Sequence, residues 1–186
     1  MRFVPTALPE VVRVEPDVHR DARGFFVETW REQRWSEGGI PGPFVQDNHS
    51  FSCRGALRGL HAQLARPQGK LARATEGEVF DVAVDIRVGS PTFGRWTGVT
   101  LSGENCRQVY IPPGYAHGFC VLSDRAHFEY KCTAFYDPDD ELTLAWNDAD
   151  LAIAWPVQAP LLSAKDAAGR RLAEVMDRLP RFGQTA

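Results

Sequence analysis

The sequence predicts a mainly β protein, an all-β sandwich or barrel with a few peripheral helices. From Phe44 to Leu151, short stretches of alternating polar and apolar residues are separated by Gly, Pro, Asp and Asn, a pattern typical of sandwiches and barrels. Helical spacing occurs near the two ends of the chain. The 186 residues, 44% hydrophobic and 24% charged, are those of a single globular domain.

The domain is predicted to cover residues 1–186, with a barrel core over about residues 44–155. The N-terminal segment and a C-terminal helix are expected to pack around this core. In the N-terminal segment, VVRVEP is strand-like and Gly24 interrupts the pattern of DARGFFVETW. The stretch from Glu28 to Glu37 then has helical spacing and ends at Gly38-Gly39, a usual helix stop.

Two central stretches are predicted as strands with contrasting faces. In GEVFDVAVDIRV, the face that packs consists of Phe80, Val82, Val84 and Ile86. The opposite face, which meets polar surroundings, consists of Asp81, Ala83 and Asp85. In HFEYKCTAFY, one side consists of Phe128, Tyr130, Cys132, Ala134 and Tyr136. A carboxylate face and an aromatic face on different strands of one small barrel can line a common ligand cavity.

The last part of the chain is predicted to contain a turn, a strand and a helix. IPPGYAHGF forms the turn and the strand, and the strand carries His117. Ser163 is a suitable cap for the C-terminal helix. The stripe expected to pack from this helix consists of Ala168, Leu172, Val175 and Met176.

Composition excludes several classes of protein. The start, MRFVPTALPEVVRVEP, soon reaches prolines and charges and is not a signal peptide, and no later run approaches the length of a membrane span. A net charge of -3 without a basic helix argues against nucleic-acid binding. The cysteines form no CxxC pair and are expected to be reduced, mostly buried thiols of a cytoplasmic protein.

Polar and basic side chains are concentrated between residues 46 and 70. This stretch reads QDNHSFSCRGALRGLHAQLARPQGK and contains Gln46, Asn48, Arg54, Arg58, His61 and Lys70. Residues 54–75 include five basic residues and no acidic one, a local positive field that suggests an anionic ligand. The alternative is a solvated strand face. His61 lies inside the cluster, where an imidazole suits acid-base chemistry on a charged metabolite.

Two motifs resemble the signatures of the cupin superfamily. Gly55 is followed at the sixth position by His61, and PPGYAH ends at His117. Many cupins hold a divalent metal with a second histidine and a glutamate in the first motif, but Gln63 and Gln68 stand near those positions here. Because amides are weak ligands and two histidines without a carboxylate bind a catalytic metal poorly, no metal is expected.

Many short strings resemble the dTDP-4-dehydrorhamnose 3,5-epimerase family in that family's order. They span roughly residues 3–169 and read RGFFVE, QDNHS, RGLHAQ, QGKL, VFDVAVDIR, SPTFG, PPGYAHGF, YKCTAFY and LSAKD. The resemblance implies a cupin jelly-roll barrel that acts as a homodimer without metal or cofactor. It implies that carbons 3 and 5 of dTDP-4-dehydro-6-deoxy-D-glucose are inverted to give dTDP-4-dehydro-β-L-rhamnose, a step toward dTDP-L-rhamnose.

The resemblance also implies roles for individual residues. His61 is the base, Asp166 holds it, and Tyr130 is the acid. The substrate contacts are Arg23, Glu28, Gln46, Asn48, Arg58, His117, Glu141 and Lys165, with Tyr136 stacked on thymine. Glu28 lies in the N-terminal segment, which in this family reaches the neighbouring subunit, so the site is expected to be shared between two chains.

The chemistry of such a reaction agrees with these residue types. Both carbons adjoin the carbon 4 ketone, so each inversion passes through an enolate that needs a base on one face, a proton donor on the other and a positive charge near the oxygen. Lys70 is the best candidate for that charge. Arg58 and His61 are three residues apart, so on an ideal strand their side chains point to opposite faces. Both face one pocket only if Gly59 makes a bulge or twist.

Three other functions stay open from the sequence. The first is a monofunctional 3- or 5-epimerase of a related dTDP-4-keto-6-deoxysugar, because relatives with the same barrel invert only one carbon. The second is a non-catalytic cupin that binds a sugar nucleotide. The third is a metal-dependent cupin dioxygenase or isomerase, which a chelator would inactivate.

Overall fold

The computed structural model describes residues 1–183, which form an antiparallel β barrel. Its strands are β1 (Arg2–Pro5), β2 (Val12–Glu15), β3 (Val18–Asp21), β4 (Gly24–Val27), β5 (Gln46–Cys53), β6 (Leu57–Gln63), β7 (Lys70–Glu76), β8 (Glu78–Asp85), β9 (Trp96–Ser102), β10 (Gln108–Ile111), β11 (Tyr115–Val121), β12 (Arg125–Cys132) and β13 (Glu141–Thr143). Its helices are α1 (Glu32–Glu37), α2 (Ala164–Ala167) and a 3₁₀ helix (Leu172–Arg178). No helix within residues 1–183 is long and apolar enough to cross a bilayer.

Two large sheets face each other and enclose the main core. One has the order β1-β2-β10-β7-β12-β5 and the other the order β13-β6-β11-β8-β9, while β3 and β4 pair as a separate hairpin. Apolar side chains from β7, β10 and β12 meet those of β8, β9 and β11 in one buried cluster. Such sheet-on-sheet packing is the jelly-roll architecture, so the predicted mainly β fold is confirmed.

The N-terminal segment contributes two strands to the larger sheet. β1 pairs with β2, and β2 pairs with β10. The predicted barrel core over about residues 44–155 therefore shares its sheet with residues 2–15. The single domain over residues 1–186 stays a prediction, and its last three residues, 184–186, lie outside the described part of the chain.

The N-terminal helix is shorter than predicted. Helix α1 begins at Glu32, not Glu28. Arg31, just before the helix, has extended backbone angles (φ -146°, ψ 116°). Further upstream, the Thr29 carbonyl accepts a hydrogen bond from Gln108 Nε2 at 2.9 Å. The predicted stop is confirmed, since the helix ends at Glu37, Gly38 is its C-cap, and Gly39 follows with φ +83°.

The predicted C-terminal helical stripe is wrong. Helix α2 and the 3₁₀ helix are separate, and between them Arg170 forms a parallel bridge with Leu144. Leu172 and Val175 are buried, but Met176 is 43% exposed. The helix is interrupted at Arg170 because its backbone groups bond to the segment around Leu144. In a continuous helix the same groups would bond within the helix.

The alternation predicted for β8 is confirmed, and most side chains on both faces are buried. The face predicted to be polar also contributes Ala83 to the main apolar cluster. Val82 and Val84 pack in a second cluster, together with the C-terminal segments. On the other face, Asp81 is 2% exposed and Asp85 is fully buried. Buried carboxylates require partners, and Asp85 accepts hydrogen bonds from Arg87 and from neighbouring hydroxyls.

The aromatic face of β12 is confirmed only as far as the strand extends. Phe128 is fully buried between the sheets, and Tyr130 packs against the same cluster. The strand ends at Cys132, so Ala134 and Tyr136 belong to the loop that follows. The four thiols are free; of these, only Cys120 and Cys132 are buried, so the expectation of mostly buried cysteines holds for two.

The predicted bulge at Gly59 is confirmed. His117 pairs with His61 and Phe119 with Arg58, so three steps along β6 correspond to two along β11. Gly59 has φ +116°, and a Cβ there would lie 2.6 Å from the Cα of Gly118. The extra residue in β6 shifts the alternation of its side chains by one position. As a result, both Arg58 and His61 face the same cavity.

This geometry predicts that Gly59→Ala lowers the free energy of unfolding by about 3 kcal/mol, because it combines an unfavourable positive φ with a collision between strands. Urea unfolding of the variant measures the loss. Gly89→Ala is the matched control, since Gly89 has φ +89° with nothing within 4 Å of its Cβ, and about 1 kcal/mol is expected there. Equal losses in the two variants would contradict the close approach of β6 and β11.

Candidate active site

A cavity of about 370 Å³ lies between the two sheets, within the size range of small-molecule sites. It brings together eleven of the thirteen predicted site residues: Gln46, Asn48, Arg58, His61, Lys70, His117, Tyr130, Tyr136, Glu141, Lys165 and Asp166. Its wall also includes Ser50, Gln68, Gly118, Phe119 and Ser163. The predicted residues therefore share one space, although they come from six strands, a loop and helix α2.

His61 and Asp166 form a hydrogen-bonded pair on the wall of the five-stranded sheet. His61 Nε2 lies 2.6 Å from Asp166 Oδ1, and His61 Nδ1 lies 3.8 Å from Glu141 Oε1. Asp166 is 4% exposed. Because Nε2 is engaged by the carboxylate, Nδ1 is the ring nitrogen available to a ligand.

Asp166 is fixed by the start of helix α2. Ser163 caps this helix as predicted: its Oγ accepts from the Asp166 backbone N–H at 3.1 Å and donates to Asp166 Oδ2 at 2.7 Å. Gly59 N–H donates to the other carboxylate oxygen at 3.3 Å. Burial acts to raise the pKa of Asp166, but the hydrogen bonds from His61 and Ser163 outweigh it and hold the pKa below its usual range. The carboxylate is therefore ionised beside the imidazole.

Tyr130 and Lys70 lie on the opposite wall, in the six-stranded sheet. Their strands, β12 and β7, are neighbours, and Tyr130 pairs with Ala72 while Lys70 pairs with Cys132. Burial raises the pKa of the Tyr130 phenol to about 12, so the group is a protonated donor at neutral pH. The phenol thus belongs to the sheet that faces the one carrying His61.

Lys70 is a buried lysine whose side chain has no direct partner among residues 1–183. It is 7% exposed, and within residues 1–183 its ammonium makes no hydrogen bond or ion pair. Burial lowers its pKa, an effect that the nearby charges of Glu141 and Asp81 oppose. An ammonium that lines the cavity and has no partner is free to bind negative charge on a ligand.

His117 belongs to a second histidine-carboxylate pair, and the sequence analysis did not assign its partner. His117 Nε2 lies 2.8 Å from Asp81 Oδ2, and both residues are buried. The alternation of β8 already put Asp81 on the carboxylate face, and pairing of β8 with β11 brings the two strands together. The alternation of β8 therefore predicted the face on which Asp81 lies, but it did not predict that His117 is its partner.

Polar side chains at one end of the cavity are linked to each other. Glu141 Oε2 accepts from Lys165 Nζ at 2.6 Å and from the Tyr136 hydroxyl at 3.1 Å. Gln46 Nε2 donates to Asn48 Oδ1 at 2.9 Å. Tyr136 is 48% exposed, so its ring presents a flat surface that a planar group from solvent can reach.

The guanidinium of Arg58, on β6, is held by contacts with β5 of the opposite sheet. Its Nε donates to Ser52 Oγ at 3.0 Å, and another nitrogen donates to the Phe51 carbonyl at 3.3 Å. These contacts use only part of its five donors. The remaining donors suit a diphosphate, which a guanidinium binds through two parallel hydrogen bonds.

The residues at or near the metal positions of other cupins make different contacts here. His61 and His117 are each bound to a carboxylate. Gln63 and Gln68 donate to backbone carbonyls. Within residues 1–183, no three His, Cys, Asp or Glu side chains are grouped closely enough to hold a metal ion.

Arg23 and Glu28 are the two predicted contacts that the structure does not place in this cavity. Arg23 lies on the β3–β4 hairpin, where it forms an ion pair with Asp21. Glu28 follows the hairpin and forms an ion pair with Arg31. The hairpin is a two-stranded sheet separate from the barrel, which explains why neither residue reaches the cavity of its own chain.

Comparison with known proteins gives a consistent result. Residues 5–174 match the family model described as dTDP-4-dehydrorhamnose 3,5-epimerase. The chain is 56% identical over 176 residues to the dTDP-4-dehydrorhamnose 3,5-epimerase of Pseudomonas aeruginosa, covering 94% of this chain and 97% of that protein. It is 54% identical over 183 residues to the enzyme of that name from Neisseria gonorrhoeae, covering 98% of this chain but 56% of the relative's length.

Solved structures agree with these relatives in fold. The crystal structure of dTDP-6-deoxy-D-glucose-3,5-epimerase from Legionella pneumophila, in complex with dTDP-4-keto-L-rhamnose, has a TM-score of 0.95 at 50% identity and covers 98% of this chain and 99% of that chain. A 3'-monoepimerase from Streptomyces bikiniensis, in complex with dTDP-quinovose, has a TM-score of 0.89 at 38% identity, covering 96% and 92%. The chain belongs to the dTDP-4-dehydrorhamnose 3,5-epimerase family.

Proposed function

We propose that this enzyme inverts carbons 3 and 5 of dTDP-4-dehydro-6-deoxy-D-glucose to give dTDP-4-dehydro-β-L-rhamnose, a step toward dTDP-L-rhamnose. One observation carries the proposal: His61, paired with ionised Asp166, and a protonated Tyr130 stand on opposite sheets of one cavity. Inversion needs a base and an acid on opposite faces of the carbon, and this arrangement supplies both.

His61 is the proposed base. Its Nδ1 takes the proton from the carbon beside the ketone, while Nε2 keeps its hydrogen bond to Asp166. The imidazolium that results is stabilised by the neighbouring carboxylate, as in hydrolase triads. The electron pair of the broken C–H bond moves to the carbon 4 oxygen and forms an enolate.

Tyr130 and Lys70 complete the proposed inversion. Lys70, buried without a partner among residues 1–183, stabilises the enolate oxygen more than the neutral ketone. Tyr130 then donates its phenolic proton to the other face of the carbon, and the ketone re-forms. A proton passes from imidazolium to phenolate through solvent to restore the starting state. These steps need no metal or cofactor, because proton transfer beside a ketone uses only a base, an acid and a positive charge.

The polar end of the cavity is the proposed nucleotide site. Tyr136 stacks on thymine, for which its exposed ring is suited. Arg58 and Lys165 bind the diphosphate by charge-assisted hydrogen bonds. Gln46 and Asn48 contact sugar or base, and His117 is a further substrate contact. The proposed location is the cytoplasm, which the four free thiols support.

We further propose that the enzyme is a homodimer whose sites are shared. Strand β5 pairs with β12 and has no second neighbour among residues 1–183, so it is an edge of the larger sheet. It carries Gln46 and Asn48, which line the cavity. The β3–β4 hairpin exposes Phe25 by 53% and Phe26 by 71%. An open strand edge and an exposed apolar hairpin both favour association, and the hairpin of one chain would bring Arg23 and Glu28 to the cavity of the other.

The double inversion is tested by incubating the enzyme with the 4-keto sugar nucleotide in deuterated water. Deuterium is expected at both carbon 3 and carbon 5, because each enolate is reprotonated by a group that exchanges its proton with solvent. Proton NMR reads the label. Label at one carbon would instead identify a 3- or 5-epimerase. Binding of dTDP without any label would identify a non-catalytic binding protein, and labelling lost on chelation would identify a metal-dependent enzyme.

Two variants tie that exchange to the proposed groups. His61→Ala and Tyr130→Phe are expected to lose at least roughly 100-fold in rate, the usual contribution of an acid-base group. Both should keep most of their dTDP affinity, because neither side chain belongs to the nucleotide end of the cavity. Turnover that survives in both variants would show that the roles are wrongly assigned.

The shared site predicts complementation between inactive chains. Arg23→Ala chains and His61→Ala chains, co-expressed with different tags, form mixed dimers in which one of the two sites has both native residues. At equal expression, about a quarter of all sites should be intact, so activity is expected to rise far above that of either variant alone. If the purified mixed dimer shows no such rise, each site is built within one chain.

A further inference from the structure

Two buried glutamines stand where metal-binding cupins carry ligands, and the proposed reaction does not use them. Gln63 is 5% exposed and Gln68 is 8% exposed. Gln63 Nε2 donates to the carbonyls of Arg66 and Phe135, at 2.9 and 3.3 Å, and its Oε1 accepts from the Asp137 N–H at 2.9 Å. This amide uses both its donors and its acceptor, so its contacts define a fixed position.

The loop that follows β12 receives most of these contacts. This loop carries Tyr136, has no strand assignment and follows the end of the sheet. Gln68 Nε2 donates to the Ala134 carbonyl at 2.8 Å, and the Tyr136 N–H donates to Gln46 Oε1 at 2.9 Å. The backbone on both sides of Tyr136 is therefore held by amide side chains in place of a neighbouring strand.

The same loop is also connected to the β6–β7 turn by charge. Asp140 accepts from the backbone N–H groups of Leu64, Ala65 and Arg66, at 2.8–3.2 Å. Hydrogen bonds from these N–H groups outweigh the effect of burial and lower the pKa of Asp140, so its carboxylate is ionised. The two loops thus form one unit, with Gln63 at its buried side.

We propose that Gln63 and Gln68 are positioning residues that hold the ring of Tyr136 in place for the base of the nucleotide. This inference rests on the proposed function, in which Tyr136 stacks on thymine. A ring that is 48% exposed gains little order from packing. Its hydroxyl bonds to Glu141, and the backbone beneath it supplies the rest of the rigidity. Fixing a binding group in advance increases affinity, because less conformational freedom is lost when the ligand binds.

The test is the affinity for dTDP of Gln63→Met, which keeps the length of the side chain and removes all three hydrogen bonds. Because these bonds hold the backbone around Tyr136, their loss is expected to weaken dTDP binding about 10-fold. At saturating substrate, kcat should change by less than about threefold, since within residues 1–183 the Gln63 side chain makes no hydrogen bond to His61, Asp166 or Tyr130.

A double-mutant cycle with Tyr136→Ala separates positioning from general support of the fold. If Gln63 acts through Tyr136, Gln63→Met should weaken dTDP binding by less than about twofold once the ring is absent. An equal loss in both backgrounds would overturn the proposal, as would unchanged affinity in Gln63→Met. Gln68→Met, taken through the same cycle, decides the matter should Gln63→Met fail to fold.

Gln33→Met is the matched control, because the Gln33 amide bonds only to Glu37 on the exposed face of helix α1. It should leave dTDP affinity unchanged. Because dTDP binding is measured without turnover, the inference and the proposed function fail in different ways. If the effects of Gln63→Met and Tyr136→Ala on dTDP affinity are coupled but the native enzyme exchanges no substrate proton, the epimerase reaction alone is refuted. If the native enzyme exchanges protons but the two effects are not coupled, the positioning role alone is refuted.

Discussion

The hydrogen bond between His61 and Asp166 is the interaction on which the rest of the site depends. It joins a barrel strand to the C-terminal segment, at 2.6 Å and with a nearly buried carboxylate. Asp166 is held in turn by the cap of helix α2 and by the N–H of Gly59. The bulge that lets both Arg58 and His61 face the cavity therefore also supplies a donor to the carboxylate. The Gly59 bulge therefore contributes both to the orientation of His61 and to the position of Asp166.

The division of roles between the two sheets follows from the barrel architecture. The five-stranded sheet carries His61 and His117, and the six-stranded sheet carries Lys70 and Tyr130. A ligand between the sheets is therefore exposed to imidazole on one side and to phenol and ammonium on the other. The glutamines that replace metal ligands bind the loop after β12. The two walls of this cavity carry the groups to which we assign the proposed proton transfers.

Much of this arrangement could be predicted from residues that act locally or by strand alternation. The parity argument at Gly59 and the helix stop at Gly38 were of this kind. The start of helix α1 and the end of the C-terminal stripe were not predicted, and both lie where distant residues contact the chain: Gln108 at Thr29 and Leu144 at Arg170. The pairing of Asp81 with His117 likewise required the register of β8 and β11. The roles of individual residues stay predictions.

The central claim is that the sugar ring lies between an imidazole and a phenol on opposite faces. A crystal structure of the enzyme with a bound dTDP-4-keto-6-deoxysugar tests it most directly. The account predicts His61 Nδ1 and the Tyr130 hydroxyl within about 3.5 Å of the reacting carbons, on opposite faces, with the Lys70 ammonium nearest the carbon 4 oxygen. Both groups on the same face of the ring, or a ring bound outside the space between them, would contradict it.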